Sequence, residues 1–350
     1  MRTLFLRSIL SPLVLLLTLI YSLVFVSPVQ AQQSESLDEV RALATWSQEY
    51  SAIMDDVFNL FDIEGLNQIL GYVDLIGTED TEMFTQAVNV WSDNLDAQII
   101  VLEKKLSQLT EPPQLSFSKK LNKASKGYKK QTETVVNKSI ESALHLKTAF
   151  GRIAKGDDSG VIEILLAQQD AAAIAVEAEI VMIKSALAAL PKSNPNYQFQ
   201  QLILADDTYA LNEIGLTKLS ISDTSTLETR MPFILRMAEQ VEISKSMITP
   251  GLAAIDKTNR SIEREIKLRP STKKVNQDAI SIINTFAESF TIEAAIIKTK
   301  INALKHYRLD QPIEEIDLLI EETDARYMEL IEKRFILFDQ RLAMVAEMGR

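Results

Sequence analysis

The sequence predicts an all-α protein, and three observations carry that prediction. Apolar residues recur at three- and four-residue steps along nearly the whole chain. No stretch alternates apolar and polar residues long enough for a strand. Only 10 glycines and 10 prolines interrupt 350 residues, most of them between apolar-periodic segments. The expected architecture is about eight long amphipathic helices arranged as two tandem antiparallel four-helix bundles.

The first 31 residues stand apart. Arg2 and Arg7 precede an apolar run from Ile9 to Val26, and the small residues Val29 and Ala31 follow it. This three-part pattern predicts a secretory signal peptide cleaved after Ala31. The alternative is an uncleaved inner-membrane anchor, because the run approaches the roughly 20 residues that span a bilayer. Ser8, Ser11, Pro12, Thr18 and Ser22 dilute it. With no cysteine in the chain, a disulfide-stapled scaffold and a lipid-modified cysteine are both excluded. Removing 31 of 350 residues leaves 319, enough to bury a large core without staples. A periplasmic or secreted bacterial protein is expected.

The helices follow in order. Leu37, Val40, Leu43, Trp46, Tyr50, Ile53, Val57 and Leu60 form one stripe on a helix over 35–61. Gly65, Gly71 and Gly77 mark an irregular piece after it. Thr78 to Thr81 signals the start of a second helix running to Leu106, and Pro112 and Pro113 close it, since proline has no amide to donate. A third helix is expected over 116–154. A fourth, alanine-rich, is capped by Asp157-Asp-Ser159 and stops at Pro191. Beyond Lys192–Asn196, the best linker in the chain, helices are expected over 197–219, 224–267 with a kink at Pro250, 271–308 and 311–348. The domains are thus 1–31 as signal peptide, 32–191 as the N-terminal bundle and 196–350 as the C-terminal bundle. A shift of 154 residues pairs Lys119 and Lys120 with Lys273 and Lys274, and Asp170 and Ala171 with Asp324 and Ala325. An internal duplication is one reading of that match.

Several chemistries are excluded. The only histidines are His145 and His306, so histidine-built zinc sites and the Glu-x-x-His pairs of di-iron bundles are missing. There is no thiol nucleophile, no glycine-rich phosphate loop and no calcium loop. The Gly-x-His-x-x-Glu motif of imelysin-like periplasmic proteins, which also double a four-helix unit, is absent: ahead of Glu163 the matching positions hold Asp158 and Gly160. The acidic pairs Asp55-Asp56, Asp206-Asp207, Glu314-Glu315 and Glu321-Glu322 read as solvated faces or caps. Trp46 and Trp91 fall on apolar stripes and read as core. No catalytic residues, cofactor or metal site are expected, and the chain is read as a non-enzyme.

Charge is the informative variable. The formal net charge is -11, yet residues 32–100 carry -13, residues 101–155 carry +8 and residues 156–350 carry -8. Six lysines lie between Lys119 and Lys130 with no acid among them. On one continuous helix, Lys119, Lys123, Lys126 and Lys130 fall within a 60° arc opposite Leu121, Ala124 and Tyr128. Three roles compete for this ridge: plain solvation, counter-charge to the acidic helices before it, and contact with an anionic membrane surface. Acidity elsewhere, and the lack of interleaved aromatics other than Tyr128, argue against nucleic acid.

The expected function is a non-catalytic binding or scaffold protein of the cell envelope with a protein partner there. Alternatives are a membrane-active, toxin-like protein inserting Ala171–Ile183, and a helical ligand-sensing module.

Overall fold

The structure, a computed structural model, describes most residues from Glu39 to Lys298, with interruptions chiefly in 40–58, 73–80, 222–226 and 269–297. Over 219–221 and 227–241 only the backbone is described. The signal segment with its cleavage point, His306, the helix expected over 311–348 and most of the second half of the duplication lie outside the described residues.

The described residues form an all-α protein, with no strand among them. Seven helices have defined bounds: α1 Ile63–Gly71, α2 Thr81–Gln108, α3 Lys119–Ser125, α4 Tyr128–Ala154, α5 Val161–Ala189, α6 Pro195–Ile221 and α7 Leu227–Leu268. Ahead of them, the described residues of 39–59 are all helical. The described residues of 273–298 are helical as well.

The set differs from expectation in two places. The piece read as irregular after Phe61 is helix α1. Asp62 takes a positive φ of 40° and its Oδ1 accepts the amide of Gly65 at 3.2 Å, capping the first turn. Gly65 is there for room, since a Cβ would lie 2.9 Å from Cδ1 of Trp91. The helix expected over 116–154 is two helices, α3 and α4. They separate where Lys126 turns extended (φ -62°, ψ 118°) and Gly127 turns left-handed (φ 95°).

Contacts divide the chain into two compact units, Met1–Leu190 and Pro191–Arg350. In the first, cross-helix bonds fix the directions. Trp46 Nε1 donates to the carbonyl of Thr110 at 2.9 Å and Trp91 Nε1 to that of Phe61 at 3.1 Å, so α2 runs back along 39–59. Thr85 meets the carbonyl of Ala154, and Lys147 meets Asp96, so α4 runs antiparallel to α2. Tyr128 meets Met182, and Ser142 meets Gln168, so α5 runs antiparallel to α4.

The core between these helices is aromatic and aliphatic. Trp91, Phe84, Phe150, Leu95 and Leu146 are fully buried, and the Trp91 and Phe150 rings meet edge to face at 5.9 Å. Both tryptophans are core residues. On α5 the buried alanines 171, 172, 175, 178 and 186 let α4 and α3 approach closely. One buried layer is polar: Gln168 donates to Ser142 Oγ at 2.9 Å and accepts from Gln169 at 2.6 Å. Bonded through both its oxygen and its nitrogen, the Gln168 amide escapes much of the cost of losing water.

In the second unit α6 packs on α7. Its buried stripe is Gln200, Ile203, Asp207, Ala210, Ile214 and Thr217, so polar side chains share the seam with apolar ones. From α7, Gly251, Ile255, Thr258 and Ile262 are buried, and the helix continues through Pro250.

Candidate functional site

The lysine segment is built on a tyrosine. Tyr128 opens α4 with its ring 2% exposed and its hydroxyl donating to the carbonyl of Met182 at 3.1 Å. Burial pushes its phenol well above the ordinary tyrosine range, so it stays a neutral donor. Its ring stands edge-on to Trp46 at 6.3 Å and to Tyr50 at 6.5 Å, and Trp46 and Tyr50 stack at 5.6 Å. Three aromatic rings from two distant segments therefore fix the point at which α4 begins.

α3 is tied down separately. Ser118 is its N-cap, with Oγ accepting the amide of Leu121 at 3.2 Å. Asn122 then clamps the preceding loop twice: its Oδ1 accepts the amide of Leu115 at 2.7 Å, and its Nδ2 donates to the carbonyl of Leu115 at 2.6 Å. Next along that loop, the amide of Ser116 donates to Glu39 Oε2 at 2.7 Å. The short helix cannot persist alone at seven residues. It is held by its cap, its clamp and contact with α5.

On this frame the lysines point outward. Lys119, Lys120, Lys123, Lys126 and Lys130 are exposed and Lys129 is half-buried. Leu121, Asn122, Ala124 and Ser125 form the inward side of α3. Every exposed position within α3 is thus a lysine. The single-helix 60° ridge, however, does not exist. Lys119 and Lys123 belong to α3, Lys126 is its C-cap and Lys130 belongs to α4, because the left-handed Gly127 resets the helical phase between them. A Cβ at Gly127 would meet nothing within 4 Å. The backbone conformation alone asks for glycine there.

None of these six lysines pairs with an acid among the described residues. The charge polarity of the chain is met elsewhere: Lys105 reaches Asp56 and Lys147 reaches Asp96, each at 2.6 Å. Both pairs join a base of 101–155 to an acid of 32–100. These are partly exposed bridges of modest strength.

Of the acidic pairs read as solvated faces or caps, Asp207 is instead fully buried on α6. His145 sits 3.9 Å from Glu141 one turn away. No group of three or more His, Asp or Glu side chains able to hold a metal ion occurs among the described residues. In the segment 171–183 most side chains are buried and Glu179 is buried with them, while Glu177 is exposed. No helix among the described residues is long and apolar enough to cross a membrane.

Sequence reasoning placed Tyr128 on the inward side, where it is buried, but missed the break at Gly127, the Asn122 clamp and the bond from Tyr128 to Met182. A glycine inside a helical pattern was the one available signal, since it often marks a helix end. Comparison with models of protein families, with curated proteins and with solved structures gave no match.

Proposed function

We propose that this protein is exported to the bacterial cell envelope and works there without catalysis, as a helical scaffold that holds a partner through the lysine face of α3. Its helices are arranged in this reading as two tandem antiparallel four-helix units, and the charged start, apolar run and Val29/Ala31 pattern support export. The observation that carries the reading is the outward face of α3: all its exposed positions are lysines, none paired with an acid among the described residues, on a helix clamped by Asn122 and set beside a buried aromatic cluster. An exposed like-charged cluster is self-repelling, and a counter-charged partner relieves that repulsion.

Capture from envelope extracts tests it. Wild type is expected to retain a partner in a salt-sensitive way, and Lys119/Lys123/Lys126/Lys130→Gln to lose it. Equal retention by the variant, or no retained partner after gentle cross-linking, would remove the lysine face from the function.

A further inference from the structure

The lysines of α3 form one end of a charge gradient that runs the length of the first unit. Between positions 104 and 130 the chain carries eight lysines and one acid, Glu111. Of those eight, Lys105 alone has an ion pair among the described residues. α5 runs antiparallel to α4 with Met182 at Tyr128, so the exposed Lys184 reaches the same end. The acids there are Glu39, which accepts the amide of Ser116, and Glu49, Glu103, Glu111, Glu133 and Glu177, fewer than the lysines. Toward the other end, where Thr85 meets Ala154, lie Asp62, Glu64, Glu82, Asp157, Asp158 and Glu163, with Arg152 and Lys155 as the local bases. The 27 residues of α4 separate the two ends by roughly 40 Å.

We infer that the lysine end is a docking surface for an anionic lipid bilayer, with the acidic end directed away from it. This rests on the reading that α3 is where the protein meets its partner. The residue chemistry favours a diffuse anionic sheet. Lysine is a strongly hydrated point charge on a flexible stem, and no arginine, whose planar fork suits shaped phosphate sites, occurs between 42 and 151. A nucleic acid would call for exposed rings to stack its bases. Tyr128 is the one aromatic between 118 and 149, and it is buried. The gradient also orients the protein, since a negative surface attracts one end and repels the other.

Cosedimentation of the full chain with phosphatidylcholine vesicles, with and without phosphatidylglycerol, tests the inference. Arg2, Arg7 and the apolar run Ile9–Val26 are common to every variant, so the change in phosphatidylglycerol dependence between wild type and the glutamine variant isolates the lysines. Wild type is expected to bind in a phosphatidylglycerol-dependent, salt-sensitive manner. In Lys119/Lys123/Lys126/Lys130→Gln that dependence should fall at least about tenfold, and by about a thousandfold if all four reach the surface. Glu82/Glu163→Gln changes net charge by two at the far end and should stay within about threefold of wild type. Three results overturn the inference: wild type shows no phosphatidylglycerol dependence, the glutamine variant falls by less than about tenfold, or the glutamate variant gains more than about threefold. Preference for duplex DNA over the vesicles overturns it as well. If vesicles fail while lysine-dependent capture from envelope extracts persists, the partner is a protein; the functional reading then stands and the bilayer falls.

Discussion

The two ends of the Met1–Leu190 unit interrupt helices by opposite means. At the acidic end the turn between α4 and α5 is wired within itself. The amide and hydroxyl of Ser159 both donate to Asp157 Oδ1, at 3.0 and 2.6 Å, the amide of Asp157 donates to the carbonyl of Arg152 at 3.0 Å, and the Arg152 guanidinium reaches the carbonyl of Ser159. Gly156 and Gly160 supply the two left-handed residues. At the basic end one left-handed glycine makes the break, and beside the local Ser118 cap and Asn122 clamp the pieces are also held from afar: Tyr128 to Met182, Trp46 to Thr110 and Ser116 to Glu39 span 54, 64 and 77 residues. A turn closed by neighbours draws most of its bonds from its own few residues. A platform closed by distant partners exists only when the whole unit is folded, and its exposed charges depend on that core.

The largest test of this difference is Tyr128→Ala. Removing a fully buried ring from the aromatic cluster should cost about 3–5 kcal/mol in chemical unfolding of the unit. A loss below about 1 kcal/mol would mean that the start of α4 does not hang on that ring.

Smaller, and more local, is Asn122→Ala. It strands the amide and carbonyl of Leu115 and should cost about 1–3 kcal/mol. Hydrogen exchange sharpens the comparison: the Leu115 amide should lose protection in this variant while the Ser159 amide keeps its own. Unchanged Leu115 protection would show that the clamp is not what holds the loop.

The smallest effect belongs to the acidic end and appears as a pH dependence. The hydroxyl of Ser159, then its amide, and then the charge of Arg152 hold the Asp157 carboxyl below its ordinary value. The folded pKa is therefore the depressed one. The contribution is present above the ordinary carboxylate range and is lost as pH falls through the lower, folded value. An NMR titration should show the Ser159 amide shifting with Asp157 below the usual aspartate range, with no matching change at Leu115. A transition at the ordinary aspartate pH would remove the local wiring from the argument.

Much of the fold was legible because helices announce themselves through local spacing. The stripe at Trp46, Tyr50, Ile53 and Val57 is buried as its periodicity implied, and Pro112 and Pro113 follow the end of α2 by a few residues. The cap at Asp157-Asp-Ser159 was half legible. Those residues do mark the turn, but the N-cap of α5 is Gly160, with no side-chain cap, and Ser159 donates back to Asp157. The irregular reading of 62–71 failed for a tertiary reason: Gly65 lies close against Trp91, 26 positions away, and is tolerated inside α1. The candidate site was legible as composition and not as geometry. Six lysines without an acid can be counted in the chain, but the arc that seemed to align Lys119 with Lys130 assumed one unbroken helix.

The sequence by itself determined that the described chain is helical, where its charge is concentrated and which side of α3 is apolar, because each depends on residues within a few turns of one another. Only the tertiary structure decided that Lys126 and Gly127 end one helix and start another, that Tyr128 is anchored on Met182, and that Lys105 and Lys147, rather than the lysines of α3, meet the acids of the preceding helices. The break is a local change of backbone that helical periodicity does not register, while the other two outcomes join residues about 50 positions apart and are settled by which side chains meet once the helices have packed.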